Sequence, residues 1–429
     1  MKRHPYWWDT VPAWEDSGAG TPKLELKARK FDVAILGAGY TGLSAARQLA
    51  RAGASVVVCD RDRVGAGASS RNAGQVLTGL RVDPAALVSK HGEIRARELF
   101  IASEDAVSAL ERLIADERIE CELERTGHLQ AAAKPSHFRA FEAEQALLAR
   151  VFSHIVTLVP EADQSRELGA AGYHGLLVDE ESRAINPAKY VQGLAAAATR
   201  AGAVIAEHTP VTRMARIGLE WKLDTAGGEI RARDVLVATN GYTDEAAPAL
   251  QRRLIPIGSY IITTVPLSID VAAKLLPKRR MAFDSRRFLQ YFRLTRDNRL
   301  LFGGRAEFSG PTLESARRAE SILHRAMIST FPDLKDTAVE YAWSGHVAFT
   351  RDQMPRAGRI DDMFYAGGYA GHGIAMATYL GALIARRIAG EQVDNPFFDD
   401  HFAPIPLYYG RPWFLPLAGL YYRVLDWIG

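Results

Sequence analysis

Apolar residues gather in short uninterrupted runs near the start of the chain, and polar or glycine-rich stretches separate these runs. Phe31 to Leu36 is rich in β-branched residues, Leu43 to Ala52 carries apolar residues at three- and four-residue spacing, and Ser55 to Cys59 is apolar again. Continuous apolar runs are typical of buried strands, whereas the longer spacing is typical of a helix with one buried face. The pattern therefore predicts a strand, a glycine-rich turn, a helix and a second strand.

The strand-to-glycine pattern returns twice further along the chain. Asp234 to Ala238 predicts a strand that ends in a turn at residues 239–242. Met363 to Ala366 predicts another strand, which a glycine-rich turn and a helix over Ile374 to Ala389 follow. The carboxyl ends of parallel strands share one edge of a sheet, and ligands bind at that edge. We therefore expect all three turns to lie close together.

Between these segments the periodicity first predicts helices and then strands. The predicted helices are Pro84 to Phe100, Ala106 to Ile119, His137 to Leu148, Pro187 to Gly202 and Ser315 to Phe331. The predicted strands are Gly127 to Ala133, Gly175 to Val178, Arg183 to Ile185, Val204 to Glu207, Val211 to Met214, Pro256 to Pro266 and Val339 to Phe349, with a hairpin of Phe288 to Leu294 and Arg299 to Gly304. The sheet-rich stretch 256–349 differs from the α/β start of the chain and predicts a second domain inserted into the first.

The composition is that of an ordinary globular protein, with 429 residues, 48% hydrophobic residues and a net charge of +3. So small a charge gives no electrostatic support for nucleic-acid binding. The two cysteines, Cys59 and Cys121, are isolated, which excludes a C-x-x-C redox motif or a cysteine-based zinc site and leads us to expect no metal. This cysteine pattern suits a reducing compartment, so we expect a cytoplasmic protein.

Both ends of the chain carry dense aromatic residues. Trp7, Trp8 and Trp14 lie in a non-periodic arm of about thirty residues, and we expect the arm to pack on the body, because large aromatic side chains are seldom left in water. The N-terminus has no apolar run typical of a secretory signal. The segment Pro412 to Ile428 predicts a helical lid packed on the body; an amphipathic surface that touches a membrane is the alternative.

The first turn carries a G-x-G-x-x-G motif in the strand–turn–helix context that gives the motif its meaning. Gly37 allows the tight turn, Gly39 lets the backbone approach a pyrophosphate, and Gly42 lets the helix lie against the strand. The pyrophosphate then meets the unpaired N–H groups at the helix N-terminus. Asp60 follows the second strand, where its carboxylate can accept hydrogen bonds from both ribose hydroxyls. The motif therefore predicts a dinucleotide site, and a coincidental glycine turn is the alternative.

A segment rich in small residues follows the second strand, over residues 61–80. It offers hydrogen-bond donors to a ligand that passes close to the backbone, namely Ser69, Ser70, Arg71, Asn72, Gly74 and Gln75. We predict an irregular loop that borders the dinucleotide.

Four stretches occur in a fixed order: GAGYTG with its strand-ending Asp60, then GAGASSRNAGQ, VLVATNGYT and YAGGYAGHG. Together they resemble the glycine and D-amino-acid oxidase (DAO) family of FAD-dependent flavoproteins, and within it the gamma-glutamylputrescine oxidase-type amine oxidoreductases. The aromatic arm and the tail after Asn395 resemble the same subgroup. The resemblance covers nearly the whole chain.

The resemblance implies a mixed α/β (α+β) fold: a Rossmann-like FAD-binding domain with an inserted antiparallel-sheet substrate domain, as in two-domain flavoproteins of the glutathione-reductase type. The expected division is an arm at 1–29, an FAD-binding domain at 30–95, 167–250 and 350–395, a substrate domain at 96–166 and 251–349, and a tail at 396–429.

The resemblance also implies where FAD contacts the chain. The expected residues are Gly37, Gly39, Tyr40, Thr41 and Gly42 at the pyrophosphate; Asp60, Arg61 and Val211 at the adenosine; Ala68, Ser69, Ser70, Arg71, Asn72, Gly74 and Gln75 along the ribityl chain and ring; Thr239, Asn240 and Gly241 at the second corner; and Gly368, Gly371, His372, Gly373 and Ile374 at the pyrimidine edge of the flavin. A helix N-terminus at that edge suits the negative charge of a reduced flavin. For His372 the alternative is a loop histidine bonded to backbone.

The sequence departs from the family pattern in ways that bear on substrate and cofactor. Members that act on free amino acids usually hold the carboxylate with an arginine where this chain has Trp343 to His346, and sarcosine-type oxidases carry a lysine near Ala375. A buried carboxylate without a fixed cation is costly. We therefore expect an amine or a polyamine derivative as substrate. The loop Ala66 to Asn72 holds no His or Cys to carry the flavin, so we expect non-covalent FAD.

The expected reaction is oxidation of the C–N bond of an amine to an imine by hydride transfer to flavin, with O2 as the oxidant. The pocket residues expected from the inserted sheet are Gln290, Tyr291, Arg293, Trp343 and His346. Three alternatives stay open: an NAD(P)-dependent flavoprotein or hydroxylase, although no second G-x-G-x-x-G occurs; a flavin-binding protein without catalysis; and a dehydrogenase that passes electrons to a membrane or protein acceptor through the aromatic tail.

Overall fold

The structure is a computed structural model that describes residues 1–11, 29–304 and 313–415. In the last of these ranges the side chains are described from residue 317 onwards. The helices are α1 Tyr40–Arg51, α2 Ala68–Arg71, α3 Pro84–Glu117, α4 Pro135–Leu147, α5 Pro187–Arg200, α6 Pro248–Gln251, α7 Ile269–Leu275, α8 Leu313–Thr330 and α9 Gly373–Ile388. The strands are β1 Arg29–Leu36, β2 Val56–Cys59, β3 Gln75–Val76, β4 His128–Ala131, β5 Thr157–Val159, β6 Leu176–Asp179, β7 Arg183–Ala184, β8 Val204–Ala206, β9 Val211–Ile217, β10 Glu220–Thr225, β11 Gly228–Val237, β12 Ile255–Thr264, β13 Met281–Asp284, β14 Gln290–Leu294, β15 Leu300–Gly304, β16 Val339–Phe349, β17 Arg356–Ile360 and β18 Met363–Gly367.

The first sheet has the strand order β17-β18-β11-β1-β2-β8, and the hairpin of β9 and β10 extends it from β11. Strand β1 is parallel to both β2 and β11, and β18 is parallel to β11. Leu36 pairs with Cys59 on one side and Val237 on the other, while Val237 pairs with Tyr365. The carboxyl ends of the four strands are thus level. The three glycine-bearing corners predicted from the sequence meet at this edge.

The second sheet has eight strands in the order β16-β12-β15-β14-β13-β4-β6-β5. All neighbours are antiparallel except β4 and β13, which run parallel. The mixed α/β fold and the hairpin of β14 and β15 are confirmed. Strand β6 lies at residues 176–179, within the range expected for the cofactor domain, but it pairs with β4 in this sheet. We propose that the domain boundary be drawn after Asp179.

The helices α1 and α9 cross in close contact beneath the first sheet. A Cβ atom on Gly381 of α9 would lie 2.4 Å from the carbonyl oxygen of Thr41 in α1, so only glycine allows this approach. The Oγ of Ser44 donates to the carbonyl of Thr378 at 2.7 Å, and the hydroxyls of Thr41 and Tyr369 hydrogen-bond at 2.7 Å. The contact holds the N-terminal turn of α1 against the middle of α9.

Three elements differ from the sequence predictions. The helices predicted at 84–100 and 106–119 are divided elsewhere: α3 continues through residues 100–106 and is instead broken by a kink at Gly92, whose backbone is not helical and whose φ is +77°. The segment 61–80, predicted as a loop, contains α2 and β3. Of the helical lid predicted at 412–428, residues 416–428 lie outside the described residues, as does Trp14 of the arm. Among the described helices, none has both the length and the apolar character required to span a bilayer.

Candidate functional site

A cleft opens at the carboxyl edge of the first sheet and faces the second sheet. It encloses about 2280 Å³ of empty space, its open mouth included. One wall comes from the corners after β1, β2, β11 and β18, and the opposite wall comes from β12 to β16. A ligand in this cleft would therefore touch both halves of the molecule.

The N-terminus of α1 forms the first corner of the cleft. Gly39 precedes the helix and has no side chain with which to cap it. Gly37 has a φ of +103°, which favours glycine, and a Cβ on Gly42 would lie 2.0 Å from the Gly37 carbonyl oxygen. The backbone N–H of Tyr40 donates to Ser69 Oγ at 3.1 Å. The helix thus points its positive end at the cleft, which suits a pyrophosphate.

Asp60 lies at the end of β2 and lines the cleft. Its Oδ2 accepts the N–H of Ala38 at 2.7 Å and its Oδ1 accepts the N–H of Asp62 at 2.9 Å. Burial raises the pKa of this carboxyl, and the two backbone N–H groups act in the opposite direction. Each carboxylate oxygen has a second lone pair, so the carboxylate is oriented and can still accept hydroxyl groups.

The N-terminus of α9 forms the second corner of the cleft. His372 precedes this helix, no side chain caps it and its first turn holds no acidic residue. Gly371 has a φ of +99°, and a Cβ placed on it would meet nothing within 4 Å. The Nδ1 atom of His372 is buried and has no hydrogen-bond partner among the described residues. Burial lowers the pKa of His372 to about 3, helped by the charge of Arg81, so the imidazole is neutral.

Arg71 brings a buried positive charge to the same cleft. Its Nε donates to the carbonyl of Ala66 at 2.7 Å and its Nη1 to the carbonyl of Ser344 at 3.1 Å. Burial lowers the pKa of Arg71, but an arginine stays charged at neutral pH. Since both described hydrogen bonds go to neutral carbonyls, the charge is available to an anionic ligand.

The wall formed by the second sheet is apolar and neutral where it is described. The hydroxyls of Ser259 and Tyr291 hydrogen-bond to each other at 3.1 Å, and Phe283 and Leu289 lie beside them. Burial raises the pKa of Tyr291 to about 12. Burial lowers the pKa of His346, whose Nδ1 has no partner among the described residues. This wall therefore presents uncharged hydrogen-bonding groups.

Most of the residues predicted from the sequence line this cleft. They are Gly37, Gly39, Tyr40, Thr41, Asp60, Arg61, Ala68, Ser69, Arg71, Asn72, Gln75, Val211, Thr239, Asn240, Tyr291, His346, Gly371, His372, Gly373 and Ile374. The remaining predicted residues lie behind the cleft wall. They are Gly42, Ser70, Gly74, Gly241, Gly368, Gln290 and Trp343. Arg293, another expected pocket residue, is also behind the wall.

The residues behind the wall have contacts that explain their position. Gln290 accepts a hydrogen bond from Thr330 at 3.3 Å, and the indole of Trp343 donates to the carbonyl of Arg71 at 2.9 Å. A Cβ on Gly74 would lie 2.1 Å from the carbonyl oxygen of Ile185. Gly368 donates its N–H to the side chain of Asn240 at 2.9 Å. These residues shape the wall and do not face the cavity.

Several lining residues were missed by the sequence predictions. They include Tyr242, Ser259, Phe283, Leu289 and Tyr369. Tyr242 and Tyr369 follow directly after glycines of the predicted corners, so their position in the sequence could have identified them as lining residues. The other three come from the second sheet, where the sequence does not show which face is turned to the cleft.

The family model for FAD dependent oxidoreductases (DAO) matches residues 32–387. This chain belongs to the DAO family. It is 33% identical over 406 residues to the gamma-glutamylputrescine oxidoreductase of Escherichia coli (strain K12), covering 93% of both proteins. It is 35% identical over 370 residues to the probable oxidoreductase OrdL of Rhizobium meliloti (strain 1021), covering 86% of this chain and 85% of the relative.

A solved DAO-fold structure agrees with the architecture. The glycine oxidase of Geobacillus kaustophilus superposes with a TM-score of 0.72 at 19% identity, covering 86% of this chain and 97% of that one. As a DAO protein, this chain is an FAD-dependent enzyme, and its cleft fits the cofactor. FAD would engage four features of the cleft: the N-termini of α1 and α9, the oriented carboxylate of Asp60, and the buried Nδ1 of His372, which has no partner among the described residues.

Proposed function

We propose that this DAO enzyme oxidises the C–N bond of an amine related to gamma-glutamylputrescine to an imine, with O2 as the oxidant. The relative with that substrate in its name aligns over 93% of both chains, which supports the substrate class. The single observation that carries the proposal is the neutral wall of Ser259, Tyr291 and His346 opposite the two helix N-termini.

When bound, FAD would supply the hydride acceptor for oxidation of the carbon next to nitrogen. The residues of the cleft would then have to hold that carbon within about 3–3.5 Å of the reacting flavin atom. An amine donates a hydride only as the neutral base. The neutral wall favours that form, because a buried ammonium without a paired anion is costly. In this proposal the hydroxyls of Ser259 and Tyr291, which hydrogen-bond to each other, also bond the amine, and the apolar side chains of Phe283 and Leu289 keep water from it. We propose Tyr291 and His346, rather than Gln290 and Trp343, as the residues that contact substrate.

The substrate proposal predicts the order in which amines reduce the flavin. Anaerobic mixing with gamma-glutamylputrescine should bleach the flavin absorption band at least 100-fold faster than glycine or D-alanine at equal concentration. The rate should rise with pH up to the pKa of the substrate amine, because only its neutral form reacts. Stopped-flow absorbance measures both quantities. Equal or faster bleaching by glycine would contradict the substrate class, and no bleaching by any amine would contradict amine oxidation.

An alternative acceptor is suggested by exposed apolar side chains in the described part of the tail. Leu407, Tyr409 and Trp413 are 75%, 69% and 63% exposed. A dehydrogenase could use them to meet a membrane or protein acceptor. Oxygen uptake that equals substrate consumption supports the oxidase, whereas turnover with an artificial dye but not with oxygen supports the dehydrogenase.

The binding mode of FAD gives another prediction. The described loop residues 65–75 that border the cleft contain no cysteine or histidine for attachment. Acid precipitation should therefore release all of the FAD into the supernatant, where its absorbance quantifies it. Yellow colour that stays in the washed pellet would contradict non-covalent binding and would direct attention to His346 and His372, the two histidines on the cleft.

A further inference from the structure

The segment of residues 68–75 borders the FAD cleft, but its own secondary structure is slight. Helix α2 is a single turn of four residues, and β3 has two residues. One isolated helical turn is unstable in water, because fixing its backbone costs more than its hydrogen bonds return. The shape of this segment must therefore depend on contacts from elsewhere in the molecule.

Three tryptophan side chains supply such contacts to three consecutive residues. The indole N–H of Trp8 donates to Ser70 Oγ at 2.8 Å. The indole N–H of Trp343 donates to the carbonyl of Arg71 at 2.9 Å, and that of Trp7 donates to the carbonyl of Asn72 at 2.9 Å. We name Trp7, Trp8 and Trp343 the tryptophan clamp.

Other contacts extend the clamp in both directions. The guanidinium of Arg71 lies 4.9 Å from the ring of Trp8, a cation–π distance. The hydroxyl of Ser70 in turn donates a hydrogen bond to the carbonyl of Gly65 at 2.7 Å. Arg293, buried behind the wall, donates to the carbonyl of Gly74 at 2.9 Å and lies 5.8 Å from the ring of Trp7. The segment is thus held by polar donors at successive positions.

The arm that carries two of these tryptophans is itself fixed to the second sheet. The N–H of Lys2 donates to the carbonyl of Glu340 at 2.7 Å, and the N–H of Ala342 donates to the carbonyl of Lys2 at 3.0 Å. The hydroxyl of Tyr6 donates to Asp297 at 2.7 Å. Residues 1–11 therefore connect the second sheet to the segment of residues 68–75.

We propose that the N-terminal arm is part of the cofactor site: the tryptophan clamp positions residues 68–75 for FAD. Trp7, Trp8 and Trp343 are positioning residues, since they act through the segment they hold. The proposal rests on the FAD dependence of the enzyme and not on the identity of the amine. In this proposal Trp343 holds the backbone of Arg71 in place. The aromatic arm helps to bind the cofactor in addition to covering apolar surface.

The test measures FAD binding to the full-length apoprotein by quenching of FAD fluorescence. Trp8→Phe keeps an aromatic ring next to Arg71 but removes the N–H donor, so the Kd for FAD should rise about tenfold. Trp221→Phe is the matched control: Trp221 is 6% exposed, and its indole nitrogen has no described partner. This control should leave the Kd within twofold of the wild-type value.

A double variant separates positioning from a loss of general packing. Ser70→Ala removes the acceptor, so adding Trp8→Phe to Ser70→Ala should raise the Kd by less than twofold further. The proposal is overturned if Trp8→Phe leaves the Kd unchanged while lowering the melting temperature, or if its effect is equal in the wild-type and Ser70→Ala backgrounds. Because no amine enters these measurements, a wrong substrate assignment cannot alter their outcome.

Discussion

Replacing Asp60 with alanine should leave the purified protein almost free of FAD. The carboxylate is the oriented acceptor at the end of β2, and hydrogen bonds to a charged acceptor contribute about 1.5–3 kcal/mol each. Loss of two ribose contacts should therefore raise the Kd for FAD at least 100-fold, since about 1.4 kcal/mol corresponds to tenfold. The ratio of flavin to protein absorbance after purification, followed by fluorescence titration of the apoprotein, measures the effect.

Asp244→Ala is the control for this substitution. Asp244 also lines the cleft and forms an ion pair with Arg61, but both side chains are about half exposed. Exposed ion pairs contribute little, so the Kd should change by less than threefold. If Asp60→Ala retains FAD while folded, as judged by circular dichroism, the placement of the adenosine ribose at Asp60 is wrong.

His154→Gln should remove a pH dependence of stability that the wild-type protein shows above neutrality. His154 is 4% exposed, and its two ring nitrogens lie 2.7 Å from Asp179 and 2.9 Å from Glu104. Burial alone would lower the pKa of this imidazole, but the hydrogen bonds to the two carboxylates raise it to about 9. Burial raises the pKa of Asp179, but the hydrogen bonds to His154 and Thr78 and the charges of the neighbouring imidazoles together hold it below its ordinary value.

The sign of the effect follows from the raised pKa of the folded state. Below pH 6.5 both folded and unfolded His154 carry the proton, so the stabilisation is complete; it falls as the pH rises towards 9, where the folded imidazole also loses its proton. The free energy of unfolding should drop by an amount on the order of 3 kcal/mol across this range. Urea denaturation at a series of pH values measures the drop in wild type and its absence in His154→Gln.

An exposed histidine–glutamate pair provides the comparison for His154. His174 lies 3.0 Å from Glu161, and these side chains are 35% and 63% exposed. His174→Gln should leave the pH dependence of unfolding as in wild type, because exposed pairs contribute little. A wild-type stability that stays flat between pH 6.5 and 9 would contradict the role assigned to His154.

The glycine corners that line one half of the cleft could be predicted from the sequence, because each of them is a local feature. A strand, a glycine turn and a helix N-terminus follow one another within a few residues at Gly37 and again at Gly371, so one stretch of sequence contains the complete feature. The strand periodicity also identified the hairpin of β14 and β15. Predicting these features does not require any information about contacts with residues that are distant in the sequence.

The substrate wall could not be predicted in the same way. Gln290 and Tyr291 are neighbours on β14, and side chains of neighbouring strand residues point to opposite faces. Both cannot face the cleft, and only the packing of the second sheet decides that Tyr291 does. Trp343 does not line the cleft, because its indole donates to the carbonyl of Arg71, a residue far away in sequence. Long-range contacts of this kind leave no local pattern.

The close crossing of α1 and α9 has a consequence for biosynthesis. Half of the cofactor site comes from residues 37–75, which emerge early from the ribosome, and the other half comes from the N-terminus of α9 at Gly373–Ile388. Domains generally fold as units as translation proceeds. The first half of the site therefore stays incomplete until the N-terminus of α9 has also been synthesised, and we expect stable FAD capture only after that point.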